Sequence, residues 1–334
     1  MTDIAVTKYQ NVEEISEIIA KIPVDRDEFV LDYRFLSLLK DTNKNRQDYY
    51  VIEKNGEIAF CVLYRMRLNI FTYGKFTLYF PVKVVGLPCS VSQKGYVTKN
   101  QQRLFEFVKS ITGAKLVLNC DENETMPGFT IGKTLPTCIL KMNWNSIEDY
   151  LRDLRSNYRY RVKKAARGCK DIIIKKIDGS SFDERLYQLY LNTYKKSKYK
   201  LEVLDINFFK FFEGEFYVFE NNQKPIGFHL LQQRNNHLYF IFCGMDYSYR
   251  SPSDLYYYML LNIIGHGIKK RVDYIDFGQT SEQTKLRLGC KLRSKYFYAN
   301  HSNQLINFLI SKNVKLLEYS EVLGQYNVFK KEKK

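Results

Sequence analysis

The sequence has no stretch long and uncharged enough to form a membrane helix. Its start, MTDIAVTKYQNVEEISEII, carries acids and lacks the apolar run of a signal peptide. A soluble, cytoplasmic protein is expected. Histidine is scarce, with four in 334 residues, and the seven cysteines (61, 89, 120, 138, 169, 243, 290) form no Cys-x-x-Cys pair and stand apart from the histidines. That pattern argues against zinc frameworks, and an odd cysteine count points to free buried thiols rather than a disulfide scaffold. No metal is expected.

What the chain does have is 45% apolar and 15% aromatic residues, enough for real cores, and length for two ordinary domains. The net charge of +16 favours polyanionic partners. Its distribution is uneven. Arg152 to Lys176 holds ten Lys or Arg against two Asp, so half of the net charge sits in 25 residues.

The apolar spacing of Val12, Ile15, Ile18 and Ile19 predicts one helix and that of Phe35, Leu36, Leu38 and Leu39 another, separated by Pro23. At Tyr49 the period changes. YYVIE, Asn55-Gly56 and EIAFCVLYRMR predict a hairpin, because Asn-Gly supplies the positive φ values of a tight turn. KFTLYFP reads as a third strand, NQQRLFEFVKSI as an amphipathic helix closed by Thr112-Gly113, and KLVLNC as a further strand.

This β-β-β-α-β order returns after residue 215. YVIEKN-GEIAF at 50–60 aligns with YVFENNQKPIGF at 217–228, LYF recurs at 78 and 238, and LVLNC at 116 and VDYIDF at 272 each follow a helix. An internal duplication is expected, the competing reading being chance similarity of aromatic-rich strands. Between the copies lie a strand, PTCILKMNW, and one continuous basic helix, NSIEDYLRDLRSNYRYRVKKAARG, with Ser146 as N-cap and Gly168 at its end. DIIIKKI and FDERLYQLYLNTYKKS add a strand and a helix, and NQLINFLISK is helical ahead of a frayed basic tail, KKEKK. The expected domains are 1–145, a linking helix at 146–169, and 170–334.

The stretch from His237 to Lys291 concentrates the suggestive polar groups. LYFIFCG is apolar on both faces, as a central strand must be, and LYYYMLLNIIG is apolar nearly all round. VDYIDFG completes a β-α-β unit. Ligands of open α/β sheets sit outside the carboxyl ends of such strands, which places Cys243 to Asp254 and Gly278 to Lys285 at one site. Ser251 is expected to cap the helix, with Pro252 at its first position and Asp254 at N3. With Arg250 beside it, this helix start can receive an anion, or it is simply a capped helix with a solvated arginine. Thr280 and Gln283 stand at capping-box spacing, and Lys285 by itself reads as a solvated charge.

The run CGMDYSYRSPSDLYYYMLLNIIGHGIKKRVDYIDFG, followed by Lys285 and Gly289, resembles the signature of the GNAT-type acyltransferase superfamily, in its CelD/FemAB-like group. There a Gly-x-Asp segment, a helix ending near Gly, an Asp-Phe-Gly strand end and a Lys-x-x-x-Gly element recur in this order. SNYRYRVKKAARG resembles that group's basic segment. The resemblance covers most of residues 45–300 and implies a mixed α/β (α+β) fold of two tandem GNAT-like domains, each a central mixed sheet flanked by helices. One departure concerns the donor. Ordinary GNAT acetyltransferases wrap the coenzyme A pyrophosphate with a glycine-rich loop, and here that position reads YSYRSPSD.

The resemblance implies an N-acyltransferase that moves an acyl group from acyl-CoA, or a related thioester, to an amine by direct attack. Two alternatives are carried: a Fem-like, aminoacyl-tRNA-dependent amide ligase acting on a peptidoglycan precursor or natural product, and a non-catalytic polyanion-binding protein with the same fold. On the enzyme readings, a backbone N–H near Cys243 or Gly244 polarises the reacting carbonyl. Asp246 or Asp276 takes the amine proton, Lys285 stabilises negative charge, and Tyr247 or Tyr249 protonates the leaving group. Arg250, Ser251 and Ser253 are candidates to hold the donor phosphate, and Gln279 to contact substrate. Arg159, Arg161, Lys163 and Lys164, interleaved with Tyr158 and Tyr160, suit phosphate contact and base stacking, or form a solvated face. The expected partners are a small-molecule or nucleotide-linked amine acceptor and, on the Fem-like reading, tRNA. No covalent role is expected for Cys243, and His229 and His266 read as structural.

Overall fold

A computed structural model describes residues 5–22, 28–89, 91–199 and 202–330. Pro23 and all but the first residue of the KKEKK tail lie outside these. The chain forms two compact units: residues 1–135 with 294–321, and residues 136–293 with 322–334. The basic stretch placed at 146–169 from sequence thus lies inside the second unit, and each unit is built from two separate parts of the chain.

In chain order the elements are β1 (Ala5–Tyr9), α1 (Ser16–Lys21), α2 (Tyr33–Thr42), β2 (Gln47–Lys54), β3 (Glu57–Asn69), β4 (Tyr79–Val85), β5 (Tyr96–Thr98), α3 (Gln101–Ser110), β6 (Ala114–Cys120) and β7 (Thr130–Lys141). Then come α4 (Ile147–Asp153), α5 (Ser156–Gly168), β8 (Ile173–Ile177), α6 (Glu184–Lys196), α7 (Ile206–Phe211), β9 (Glu215–Asn221), β10 (Lys224–Arg234) and β11 (His237–Met245). The last are α8 (Pro252–Lys269), β12 (Tyr274–Asp276), α9 (Glu282–Leu286), β13 (Lys291–His301), α10 (Gln304–Lys312) and α11 (Val314–Leu317).

In the first unit the strand order is β1-β2-β3-β4-β6-β13, with β5 paired to β3. Asn55 and Gly56 have φ of 53° and 75°, the pair of left-handed residues that an Asn-Gly hairpin turn requires. They set the β2–β3 register at Lys54↔Glu57. α3 buries Leu104, Phe105, Phe107 and Val108 and carries the chain from β4 to a parallel β6, paired through Val84↔Leu116 and Val85↔Val117.

The second unit repeats the plan in the order β7-β12-β11-β10-β9-β8, with α8 carrying the chain from β11 to a parallel β12. One face of this sheet is covered by α4, α5 and α8, whose Val162, Ala165, Leu260, Ile263 and Ile264 share a core with Phe219 and Ile275. The opposite face carries rings from α6 and α7: Phe182 stacks on Phe209 at 4.8 Å and meets Phe228 edge-on at 5.1 Å, while Tyr190 and Phe208 approach Phe242.

One element differs from the sequence reading. The predicted continuous helix is two helices broken at Leu154-Arg155, both extended. The cause lies in a distant segment. Leu154 bridges Phe329, Arg155 N donates to Val328 O at 2.9 Å, and Phe329 packs on Trp144 and Tyr150. The Ser146 cap forms as expected, its Oγ accepting from Asp149 N at 3.0 Å. Residues near Ile58–Asn69, Glu215–Asn221 and Pro252–Lys269 follow their predicted strand and helix types.

Candidate active site

β11 and β12 run parallel only through His237↔Tyr274, Leu238↔Ile275 and Tyr239↔Asp276. Beyond them β11 continues to Met245 against β10, while the chain after β12 stays with β7: Phe277 N donates to Cys138 O at 2.8 Å and Cys138 N to Gly278 O at 3.1 Å. The two strands therefore part after Tyr239, leaving one edge of β11 with no strand beside it among the described residues. A register shift opposite Leu230 and Leu231 skips Ile241, a bulge that bends β11 at the parting.

Cys243, Tyr247, Tyr256 and Ser281 gather at this opening. The Tyr256 hydroxyl is hydrogen-bonded to Ser281 and feels Cys243, Cys138 and Tyr247; burial holds it well above the ordinary phenol range. Tyr247 is raised by burial and by Cys243, although a hydrogen bond to Thr193 opposes this. Burial pushes the Cys243 thiol up to about 12 and Cys138 to about 11, against the pull of Lys285. A thiol at about 12 supplies almost no thiolate at neutral pH and is a poor nucleophile there.

The loop after β12 is held from both sides. Asp276, 5% exposed, accepts from Gly278 N at 2.7 Å and from the Thr137 hydroxyl. Lys285, 1% exposed, donates to Gln279 O at 2.8 Å and Gly278 O at 3.3 Å. It is therefore not the solvated charge that its isolated sequence context suggested. Gly278, Thr280 and Ser281 have φ of 68°, 64° and 52°. A β-branched residue held there costs roughly 1–3 kcal/mol, and such strain concentrates at functional sites. The capping box expected at Thr280 does not form; the residue before α9 is Ser281, in the left-handed region and without a side-chain cap.

The remaining candidates lie in other settings. Asp246 shapes the turn after β11, accepting from Ser248 N at 2.9 Å, from the Ser248 hydroxyl, and from Lys224 Nζ at 3.4 Å. Partial burial acts to raise its carboxyl, yet these donors outweigh burial and lower it. The Gly244 backbone lies under α6, where a Cβ would meet Tyr190 N at 2.5 Å. The Tyr249 ring faces Arg250 at 5.7 Å, and its hydroxyl is buried without a hydrogen bond.

Arg250 donates to Gly168 O at 2.7 Å, at the end of α5. The expected Ser251 cap is absent: Ser251 Oγ instead donates to Asp254 at 2.7 Å, and Arg161 pairs with the same carboxylate at 2.6 Å while lying 4.0 Å over the Tyr257 ring. Burial works to raise Asp254, but Ser251 and Arg161 bring it down. The start of α8 thus already faces a carboxylate of its own. Ser253 is exposed, Gln279 is half-buried, and Arg159 donates to the carbonyls of Arg152 and Leu154. Lys163 and Lys164 are exposed, in a row with Tyr160, Arg167 and Lys170.

Glu202 escaped the sequence reading. Burial pushes this carboxyl up to about 7, and it acts on Tyr190, whose ring is 6.0 Å from Phe242 of β11. A half-buried glutamate in an irregular loop carries no pattern that announces its setting. Tyr256 was hidden differently, as one of three consecutive tyrosines in a helix that reads as core.

The first unit closes its equivalent opening. After Val85 and Val117 its loop turns inward: Leu87, Cys89, Val91 and Ser92 are buried, and Asn119 Nδ2 donates to Val91 O at 3.2 Å and Gln93 O at 3.0 Å. A Cβ on Gly95 would meet Gly86 Cα at 2.3 Å. Backbone and side chains cover the position that corresponds to the unpaired edge of β11.

A β-α-β unit with splayed parallel strands, present twice, is a specific architecture. Residues 152–286 match a family profile described as an acetyltransferase (GNAT) domain. The chain has the GNAT fold. Similar solved structures include FemX (TM-score 0.57, 12% identity, 91% of this chain and 100% of that one) and L-PGS from Bacillus licheniformis (0.53, 9%, 88% and 98%). A tandem GNAT protein from the clavulanic acid biosynthesis pathway aligns at 0.51, with 9% identity, over 90% of this chain and 99% of that one. No curated protein matches the sequence significantly. The expected Fem-like tandem GNAT resemblance is borne out. No helix among the described residues is long and apolar enough to cross a membrane.

Proposed function

We propose that the second unit of this GNAT-fold chain transfers an acyl or aminoacyl group from a thioester or ester donor to an amine by direct attack. The parting of β11 from β12 carries the reading. An extended donor arm can lie along the unpaired β11 edge in place of the missing strand, bonded through its own amides. Its carbonyl then falls near Ile241 to Cys243, where a backbone N–H stabilises the oxyanion. The amine nitrogen bonds to the carbonyl carbon as the C–S or C–O bond breaks. Glu202, held near neutrality, accepts the amine proton directly or through water, and Tyr247 or Tyr256 protonates the leaving sulfur or oxygen. Asp276 and Lys285 fix the loop that walls the opening.

Two donors remain in play, acyl-CoA and aminoacyl-tRNA. Asp254 at the start of α8 and the glycine-free turn disfavour a coenzyme A pyrophosphate at that position. The exposed row of Tyr160, Lys163, Lys164 and Arg167 favours a donor that is anionic along its length. The acceptor is proposed to be a small or nucleotide-linked amine. Amide formation from acyl-CoA and from aminoacyl-tRNA, read by mass spectrometry, distinguishes the two. Hydrogen exchange of residues 240–247 and 277–281 should slow with the true donor. If neither donor gives product nor slows exchange there, the transferase reading fails.

A further inference from the structure

The first unit displays an apolar surface that its own fold does not use. In α10, Leu305 (70% exposed), Phe308 and Leu309 share one face, and no residue of the helix is buried. Phe76 (75% exposed) and Leu78 project from the loop joining β3 to β4, and Tyr79 from the start of β4. Both groups are tied to the start of β7. Tyr319 N donates to Lys133 O at 2.8 Å, Lys133 N donates to Glu318 at 3.2 Å, and Val314 lies against Gly132. From the other side, the Tyr73 hydroxyl bonds Thr134 at 2.6 Å and its ring meets Tyr319 at 5.6 Å. Ile131, itself exposed, lies in the same β7 segment. The loop and the helix are therefore neighbours on one surface.

We infer that this surface docks the protein onto an anionic lipid bilayer, with the rings and leucines in the interfacial layer. Charge selects this occupant. The stretches of the first unit that carry these groups, 65–83, 130–135 and 303–317, contain no Asp or Glu. Arg65, Arg67, Lys75, Lys133, Lys312 and Lys315 are all exposed there. Lys315 pairs with Glu318 at 3.1 Å, just beyond the acid-free run. Two copies meeting through this face would bring six cations against six, with Glu318 and Glu321, which accepts from Tyr319 at 3.4 Å, as the carboxylates beside them. A leaflet of anionic headgroups relieves them all, while acyl chains accept the apolar groups. A nine-residue helix is far too short to span a bilayer, so the contact is a peripheral one.

The test is flotation of the full chain with vesicles of phosphatidylcholine alone and with about 30% phosphatidylglycerol. The wild type should float only with the anionic vesicles and should be released as salt rises. Replacing Phe76, Leu305 and Phe308 together by Ser should lower partitioning at least about tenfold. A charge variant, Lys312→Glu with Lys133→Glu, should weaken binding without touching an apolar group. Three results would overturn the inference: no flotation of the wild type, flotation indifferent to lipid charge, or triple and charge variants that both float like wild type. A dimer of the wild type that the triple variant loses, without lipid binding, would assign the face to a second copy.

Discussion

The ammonium of Lys285 lies 2.8 Å from the carbonyl oxygen of Gln279, so the lysine grips the backbone of the loop that borders the β11–β12 opening. Lys285→Met should take this donor from Gln279 O, while Gly278 O keeps Cys138 N, at a cost of about 1–3 kcal/mol, and let the strained turn at Thr280 relax. We expect turnover to fall about 100-fold and exchange at 278–281 to accelerate. Unchanged exchange in a folded variant would remove Lys285 from the site's supports.

The Glu202 carboxyl at about 7 sets an expected pH profile. As the proposed proton acceptor it must be ionised, so kcat/KM should rise with pH through an apparent pKa near 7. Glu202→Gln should lower the plateau and abolish that limb. A rise of the same midpoint in the variant would assign the titration to another group.

His229 is fully buried, bonded to Asn262 at 2.9 Å, and burial lowers it to about 3. The unfolded chain takes up this proton near pH 6.5 and the folded chain does not. Stability is therefore retained above that pH and lost as pH falls toward 3, by up to about 1.4 kcal/mol per unit. Urea melts at stepped pH should show a shallower slope for His229→Gln, which keeps a hydrogen-bonding partner for Asn262.

Arg161 and Lys163 are two residues apart yet should behave as different kinds of residue. Arg161→Ala strips Asp254 of its ion-pair partner, leaving the Ser251 bond, and bares the Tyr257 ring, and should destabilise the protein by about 1–3 kcal/mol. Replacing Lys163 and Lys164 by Ala should leave the melting temperature nearly unchanged while weakening tRNA binding and flattening its salt dependence. Equal effects on stability would contradict this division.

Local chemistry was the part of the fold that could be read in advance. The Asn55-Gly56 turn, the Ser146 cap and the β-α-β order of both copies depend on neighbours in sequence, and the spacing declares them. The break at Leu154 depends on Phe329, far along the chain, and no local pattern carries that information. The site divides in the same way. Cys243 and Lys285 could be placed near one opening because strand ends and loops converge in such folds. That Arg250 would serve the end of α5, and that Asp254 would be taken by Arg161, required knowing how α5 lies on α8. Glu202 and Tyr256 owe their interest to their half-buried settings, which composition does not encode.

The pairing of β13 with β6, and of β7 with β12, has a genetic consequence. Cutting the gene near codon 135 would leave the first half without the partner of β6, lost through Tyr296↔Cys120 and Ala299↔Leu116, while the second half would carry β13 unmatched by β6. A bare β6 edge invites aggregation. The two copies can diverge in sequence, as the filled and open clefts show, yet recombination cannot readily separate them into independent proteins.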